Sequence, residues 1–296
     1  MWKRYYTPKS LSEALELKEG YGKRARIIAG GTDLVIDLSK KGVLSPEAVI
    51  DISSISDIRN ISLQNGELYI GSAVTFSEIL RSSVIRANVP ILVEAVRQIA
   101  GPQIRNLATI GGNVVNASPA ADSIPPLLVL DTIVSITGPG GISREVYLEQ
   151  LLLGNRKVAL ETNEIVTGFH FQVPTKNYLQ YFRKVKPRQS MAIALLNLAI
   201  FLSVENARIF DVRIAMGAVA PTAVRIKTVE NELKNLPTNL AKDPNRYKGV
   251  FRDINPITDF RGSRQYRLRV AKNLLYEAMV ELLERSDQNG GNSNET

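Results

Sequence analysis

Apolar and polar positions alternate in short runs along the first 60 residues, and this pattern predicts strands and helices in alternation. Residues 26–29 (RIIA) and 48–52 (AVIDI) are rich in apolar and β-branched residues, which is typical of short strands. A helix is predicted to begin after Ser10, because Glu13 stands at capping-box spacing from it. Residues 1 to about 58 are therefore predicted to form a small βαβ-like lobe.

A second lobe is predicted from about residue 59 to residue 174. Residues 68–73 indicate a strand, and Thr75 and Glu78 have the spacing of another capping box. Pro90 opens a predicted helix with one apolar face that continues to residue 100. Residues 131–137 and 164–173 predict two more strands.

The boundary of a second domain is predicted between residues 174 and 178. Beyond it, residues 191–204 and 208–219 predict a hairpin of two strands, and residues 221–236 and 266–283 predict helices. The predicted fold class is α+β, with domains at residues 1–174 and 178–286. Residues 287–296, rich in Asn and Gly, are predicted to be a disordered tail.

Two pairs of adjacent glycines carry the candidate chemistry. One lies in residues 29–34 (AGGTDL), after an apolar strand, and the other in residues 109–113 (TIGGN), which open a run of small residues ending at Asp122. Adjacent glycines let the backbone approach a bulky group, and their amides can face an anion. Two such turns indicate one ligand with two phosphates, although turn glycines also serve structure alone. The second run is expected to line a groove rather than to pack as a helix.

These two runs resemble the flavin-binding signatures of the molybdenum hydroxylases. Over nearly its whole length the chain is similar to the FAD-binding medium subunit of that family, as in carbon monoxide dehydrogenase, xanthine dehydrogenase and archaeal aldehyde oxidoreductases. Three further motifs carry the resemblance in order: residues 181–185 (YFRKV), 217–225 (GAVAPTAVR) and 259–267 (DFRGSRQYR).

The resemblance implies a two-lobed FAD-binding domain of the PCMH type, like that of vanillyl-alcohol oxidase, and a smaller α+β C-terminal domain with a three-stranded antiparallel sheet and helices. It implies that Asp122 binds the ribityl chain or an adenosine sugar, and that Arg183 or Lys184 lies near the isoalloxazine. A cation there would stabilise the negative charge of the reduced ring. The residues that the resemblance implies for FAD binding are Ala29, Gly30, Gly31, Thr32, Asp33, Leu34, Ile99, Ala100, Gly101, Ile104, Thr109, Gly111, Gly112, Asn113, Val114, Ala117, Asp122, Ile165, Val166, Arg183 and Lys184.

The resemblance also implies partners: a large subunit with a molybdopterin-type molybdenum cofactor and a small subunit with [2Fe-2S] clusters. FAD on this chain would collect electrons for an external acceptor, and no catalytic side chain is implied. The chain has no cysteine, so an iron–sulfur cluster must lie on another subunit.

The function expected is therefore electron transfer in a molybdenum-containing aldehyde oxidoreductase. Many Ile, Val, Arg and Lys residues favour a thermophile, and glyceraldehyde is then one candidate substrate. The alternatives are the medium subunit of a carbon monoxide or xanthine-type dehydrogenase, and a stand-alone flavin oxidase.

A net charge of +8 raises a third hypothesis, a basic nucleic-acid-binding or scaffold protein. The basic residues are spread along the chain without interleaved aromatic residues, so we expect no nucleic acid. We also expect no membrane span and a cytoplasmic location, because no apolar run reaches ~18 residues and residues 1–8 lack the apolar region of a signal peptide.

The single histidine, His170, makes a metal site improbable in a chain without cysteine. It lies in an alternating segment predicted as a strand. The open alternatives for His170 are a covalent flavin attachment point, a base, or a polar residue on a strand face.

Overall fold

The computed structural model describes residues 2–40, 45–174, 178–188 and 191–291. Its strands are β1 (Arg4–Tyr6), β2 (Ala25–Ile28), β3 (Ala48–Asp51), β4 (Ile61–Gln64), β5 (Glu67–Gly71), β6 (Ile133–Thr137), β7 (Ser143–Tyr147), β8 (Leu152–Gly154), β9 (Lys157–Val158), β10 (Ile165–Gln172), β11 (Tyr178–Val185), β12 (Leu196–Glu205), β13 (Arg208–Gly217) and β14 (Val224–Arg225). Its α-helices are α1 (Leu11–Tyr21), α2 (Leu34–Leu38), α3 (Phe76–Arg81), α4 (Ser83–Asn88), α5 (Pro90–Arg97), α6 (Pro102–Arg105), α7 (Ile110–Asn116), α8 (Ile124–Val129), α9 (Leu148–Leu151), α10 (Lys227–Leu233), α11 (Val250–Asp253) and α12 (Arg264–Gly291).

The chain divides into two compact units, and it passes between them several times. The first unit contains the residues up to Asn88, Ile99–Ser118 and Asp131–Val173. The second contains Val89–Gln98, Pro119–Leu130 and the residues from Pro174 onward. Two short segments of the predicted first domain therefore belong to the second unit.

The first unit begins with a small parallel sheet. β3 lies between β1 and β2 and pairs with both in parallel. Ala48, Val49 and Ile50 of β3 are fully buried, as expected for a central parallel strand covered on both faces. This arrangement has the βαβ-like character predicted for the N-terminal lobe.

Helix α1 begins at the predicted position, but with half of the predicted capping box. The Oγ of Ser10 accepts a hydrogen bond from the amide of Glu13 at 3.2 Å. The carboxylate of Glu13 accepts from the amide of Lys9 at 2.7 Å instead of returning to Ser10. The capping box of α3 is confirmed in full, because the amide of Thr75 donates to Glu78 at 2.7 Å and the amide of Glu78 donates to Thr75 at 3.2 Å.

The rest of the first unit is organised around a five-stranded antiparallel sheet in the order β4-β5-β10-β6-β7. β10 is the central strand, and its pairing with β6 shifts register between Val166 and Gly168. A β-bulge of this kind bends a strand and redirects its side chains. Ile165 and Val166 precede the shift and line the cavity described below.

The second unit is built on an antiparallel sheet in the order β11-β12-β13-β14. Successive side chains of a strand point to opposite faces, and β12 uses both. Leu198 and Ile200 share an apolar core with Leu275 and Met279 of α12. Asn197, whose side chain points to the opposite face, donates a hydrogen bond to Asp122 in the segment that contains α8. The sheet is therefore covered on both faces, with α8 packed against β12 and β13 and α5 packed against β11.

The second unit differs from the sequence prediction in three places. Its sheet has a fourth strand, β14, of two residues, and the shorter helix α10 follows it where one helix was predicted over residues 221–236. Helix α12 continues to Gly291, so residues 287–291 are helical rather than a disordered tail. Residues 292–296 of that predicted tail, and residues 175–177 of the predicted boundary, lie outside the described residues.

Within the described ranges, no helix combines the length and the apolar character that a membrane span requires.

Candidate functional site

The first glycine turn joins β2 to α2, as its sequence predicts. Gly31 has a φ of +68°, in the left-handed region that favours glycine. Gly30 is required for a different reason, because a Cβ there would lie 2.0 Å from the carbonyl oxygen of Leu107 and 2.8 Å from the Cα of Ala108. The backbone of the first turn thus touches the backbone that leads into the second glycine run.

The second glycine run is a helix, α7, and this corrects the expectation of a non-helical groove lining. Thr109 is its N-cap, with an Oγ1 that accepts from the amide of Gly112 at 3.0 Å. Gly111 packs tightly, because its amide donates to the carbonyl oxygen of Ser72 at 2.9 Å and a Cβ would lie 2.5 Å from that oxygen. The run both forms a helix and lines a cavity, since glycines allow its other face to approach the antiparallel lobe.

Replacing the N-cap tests how far α7 depends on it. Thr109→Val is expected to lower the free energy of unfolding by about 1 kcal/mol, because the isosteric side chain cannot accept from the amide of Gly112. Thr109→Ser should retain most of the stability, because it keeps the accepting oxygen. Urea denaturation followed by circular dichroism measures both values, and equal stability of the two variants would contradict this role of Thr109.

The two glycine runs line one cavity of about 390 Å³ in the first unit, within the roughly 300–1,000 Å³ typical of small-molecule sites. The residues of the sequence prediction that line it are Ala29, Gly30, Gly31, Thr32, Asp33, Leu34, Thr109, Gly111, Gly112, Asn113, Ile165 and Val166. The structure therefore brings together two glycine runs that are far apart in the chain.

Other residues of the cavity wall were missed by the sequence analysis. They are Arg26, Ile27, Ile28, Asp37, Ile52, Ser72, Ala108, Val115, Asn116, Arg156, Leu160 and Glu164. Those next to the glycine runs could have been found by extending each run along its strand or helix. Ser72, Arg156 and Leu160 carry no local signal, because tertiary folding alone brings them to the wall.

The cavity combines backbone amides, apolar side chains and charged groups in ion pairs. Glu164 accepts from the Nε of Arg144 at 2.7 Å, and this arginine holds the pKa of Glu164 below its usual value. Lys40 and Arg156 likewise lower the pKa of Asp37. The Ser72 hydroxyl is buried and makes no hydrogen bond with the described residues.

The remaining predicted residues of the first unit do not line this cavity. Val114 is fully buried and Ala117 nearly so. The guanidinium of Arg105 donates to the carbonyl oxygens of Ile99 at 2.7 Å and Ala100 at 3.0 Å. Ile99, Ala100 and Gly101 are absent from the cavity wall. Ile104 is absent from it as well, and its side chain is exposed.

Asp122 and Lys184 form a buried ion pair in the second unit. The Nζ of Lys184 donates to Asp122 at 2.5 Å and to the carbonyl oxygen of Gln98 at 3.1 Å. Asn197 donates to the other carboxylate oxygen at 2.9 Å. Burial raises the pKa of Asp122, against the attraction of Lys184. The neighbouring Arg183 is exposed, so Lys184 is the inward-facing member of the predicted pair; their roles toward FAD stay predictions.

His170 takes the strand-face position among its three alternatives. It lies on β10, where its Nδ1 is 3.0 Å from Glu67 and its Nε2 is 3.1 Å from Glu145, and it does not line the cavity. Among the described residues, no group of His, Asp and Glu side chains has an arrangement that could hold a metal ion.

A parallel βαβ lobe and an antiparallel lobe that share a glycine-walled cavity define a nucleotide-cofactor-binding domain. Residues 2–175 match the family described as "FAD binding domain in molybdopterin dehydrogenase", and residues 180–282 match the "CO dehydrogenase flavoprotein C-terminal domain". The chain belongs to the FAD-binding subunits of the molybdopterin dehydrogenases, and this confirms the resemblance drawn from its motifs.

Relatives of known activity agree with this assignment. The chain is 33% identical over 280 residues to the xanthine dehydrogenase FAD-binding subunit of Escherichia coli O157:H7, covering 94% of each chain. It is 32% identical to the glyceraldehyde dehydrogenase medium chain of Sulfolobus acidocaldarius, covering 94% of this chain and 97% of the relative. A chain of the carbon monoxide dehydrogenase of Hydrogenophaga pseudoflava superposes with a TM-score of 0.89 at 26% identity, covering 97% of this chain and 98% of that chain.

The chain is therefore an FAD-binding subunit of an oxidoreductase. The residues of the cavity fit a flavin dinucleotide. Gly30 and Gly111 lie where a Cβ would collide with the neighbouring backbone, so the first glycine turn and the start of α7 can both line one wall. The amides of Gly111 and Gly112 already donate to Ser72 and Thr109, which corrects the expectation that both runs offer amides to an anion. Apolar residues such as Ile28 and Ile165 supply a surface for a ring in the same cavity.

Proposed function

We propose that this chain is the electron-transfer subunit of a heteromeric molybdenum-containing aldehyde oxidoreductase. It would hold FAD between the iron–sulfur clusters of a small partner subunit and an external acceptor, while a large partner subunit carries the molybdopterin-type cofactor. FAD supplies the ability to take electrons one at a time and to release them singly or in pairs.

The observation that carries the proposal is the meeting of both glycine runs in one cavity. We assign the diphosphate of FAD to the backbone amides of the first run, because phosphate groups favour amides at the point where a turn leads into a helix. The second run, whose Gly111 and Gly112 amides donate to Ser72 and Thr109, would give the cofactor room for a close approach. Thr32 and Asn113 add side chains able to hydrogen-bond. The apolar wall at Ile165 and Val166 would pack beside a ring of the cofactor.

This assignment gives the chain little proton chemistry to perform. Glu164 and Asp37 are held ionised by neighbouring cations, and His170 lies outside the cavity wall. The task of the protein is to bind the cofactor, fix its orientation and limit access of water. The substrate would be bound by the large subunit, so its identity leaves little trace in this chain.

Aldehyde oxidation is the substrate class that we propose, with glyceraldehyde as a candidate. The similarity to the glyceraldehyde dehydrogenase medium chain and the thermophile-like composition support it. Xanthine is the alternative that the equally similar Escherichia coli subunit favours, and carbon monoxide is the alternative that the structural similarity favours.

Reconstitution tests the proposal in two stages. The purified chain is expected to bind one FAD, seen as the visible bands of oxidised flavin after gel filtration, and to leave glyceraldehyde unoxidised when alone. The complex co-purified through a tag on this chain should bleach those bands anaerobically when glyceraldehyde is added. Bleaching by xanthine or carbon monoxide in its place would replace the substrate assignment.

Two other outcomes would overturn the wider proposal. Turnover of a substrate by the chain alone would support a stand-alone oxidase. A colourless chain that retains no FAD and binds oligonucleotides in a salt-sensitive way would support the basic nucleic-acid-binding hypothesis.

A further inference from the structure

A second link between the two lobes lies at the cavity wall, apart from the contact of Gly30 with Leu107. The guanidinium of Arg156 pairs with the carboxylate of Asp37, and both residues line the cavity. Asp37 belongs to α2, the helix that follows the first glycine turn, and Arg156 belongs to the turn between β8 and β9. The pair therefore joins segments 119 residues apart in the chain.

The position of Arg156 is fixed by its backbone as well as by its side chain. Its amide donates to the carbonyl oxygen of Ala117 at 3.0 Å, directly after α7. Its φ is +56°, in the left-handed region that turns usually give to Gly or Asn. The chain thus places an arginine where a smaller residue would be less strained, with its backbone tied to the end of the second glycine run.

Asp37, the other member of the pair, also contacts a second cation. The Nζ of Lys40 contacts Asp37 at 2.5 Å, and Lys40 and Arg156 together hold the pKa of Asp37 below its usual value. The carboxylate is therefore ionised at neutral pH, and the pair persists there. Among the described residues, Arg156 and Arg26 supply the cationic side chains of the wall.

Two contacts therefore link the segments of the cavity wall. Gly30 approaches Leu107, just before the second glycine run, and α2 is joined through Asp37 and Arg156 to Ala117 at the end of α7. We propose that Arg156 and Asp37 are positioning residues for the cofactor, which hold the two glycine runs at the separation that the cofactor requires and slow its release. This inference rests on the proposed FAD site.

The test measures release of FAD from the full-length chain. Arg156→Gln, Asp37→Asn and the double variant are loaded with FAD, diluted, and followed by the rise of flavin fluorescence. Each single variant is expected to release FAD about two- to fivefold faster, the range for a partly exposed ion pair, and the double variant no faster than either. Arg156→Lys should release FAD more slowly than Arg156→Gln, because it restores the cation.

A matched control is Arg24→Gln, which breaks the exposed pair of Arg24 with Glu47 in the same unit but away from the cavity wall. It should leave FAD release unchanged. In the unaltered chain, raising the salt concentration should speed release by screening the pair, and Arg156→Gln should be less sensitive to salt. The melting temperatures of the FAD-free variants should match that of the unaltered chain, which separates positioning from loss of fold.

The sign of the Asp37→Asn effect is decisive. If Arg156→Gln speeds release while Asp37→Asn slows it or leaves it unchanged, Arg156 binds the cofactor directly and the positioning role is wrong. Unchanged release in both variants also overturns it. If the unaltered chain binds no FAD at all, the proposed function fails instead, and the two failures are thus distinguishable.

Discussion

Gly30→Ala is expected to weaken FAD binding by about a hundredfold, near the upper end of what overpacking a tight contact costs. The added Cβ would stand 2.0 Å from the carbonyl oxygen of Leu107. Its neighbour is backbone and not the flexible end of a side chain, so the two glycine runs must move apart. The cavity that both of them line would then lose its shape. Titration of the purified chain with FAD, followed by flavin absorbance, measures the change.

Gly20→Ala is the matched control for this variant. Gly20 lies in α1, and a Cβ there would meet no atom within 4 Å. It should leave FAD binding unchanged and raise the free energy of unfolding by roughly 0.5–1 kcal/mol, because alanine is favoured over glycine in a helix. Tight FAD binding by Gly30→Ala with an intact circular dichroism spectrum would contradict the contact between the glycine runs.

Lys184→Met is expected to lower the free energy of unfolding by about 3–5 kcal/mol, because it leaves a buried carboxylate without its cation. The side chain of Lys184 is 1% exposed and that of Asp122 is 7% exposed, so water cannot replace the lost partner. Asn197 would still donate to Asp122. Urea denaturation at neutral pH measures the loss.

The loss in free energy of unfolding caused by Lys184→Met should become smaller as the pH falls. Burial already raises the pKa of Asp122, and Lys184 opposes that effect, so removing Lys184 raises the folded pKa further. When a carboxyl group has a higher pKa in the folded state than in the unfolded state, its protonation stabilises the folded state. We therefore expect the difference from the unaltered chain to decrease from about pH 7 to about pH 5.

Two further variants separate the ion pair from general disruption of the second unit. Arg183→Met removes a cation from the adjacent, exposed position and should change stability little. Adding Asp122→Asn to Lys184→Met should recover much of the loss, because no buried charge is then left unpaired. If the stability lost in Lys184→Met does not depend on pH, or if the double variant is no more stable than Lys184→Met, Lys184 acts through packing alone.

The local elements follow from short-range patterns in the sequence. The capping pair of Thr75 and Glu78, the strand before Gly30, and the hairpin of β12 and β13 each depend on residues close together in the chain. Their prediction needs no knowledge of the fold, because capping and alternation act over a few residues. The run at residues 109–116 is the exception: its glycines obscure a helix that Thr109 caps and that tertiary contacts at Ser72 stabilise.

The sequence could indicate that the glycine runs line a cavity, because the close approach there needs one particular residue type, glycine. Arg156 and Ser72 could not be placed there from the sequence, since an arginine in a hairpin turn or a serine after a strand has no distinctive pattern. Their place in the cavity wall depends on which lobes meet, and contacts across more than a hundred residues decide that.

The sequence by itself determined the family, the two glycine runs that line the cavity and most helices and strands, because those properties reside in residue types and local spacing. Only the tertiary structure decided that Val89–Gln98 and Pro119–Leu130 join the second unit, and that Asp122 pairs with Lys184 rather than with Arg183. The physical reason is that β12 is buried on both faces, while only the face of Leu198 and Ile200 is continuously apolar; the other face carries Asn197, whose partner Asp122 lies far away in the chain. Its second face recruits segments whose own sequences do not indicate where they will pack.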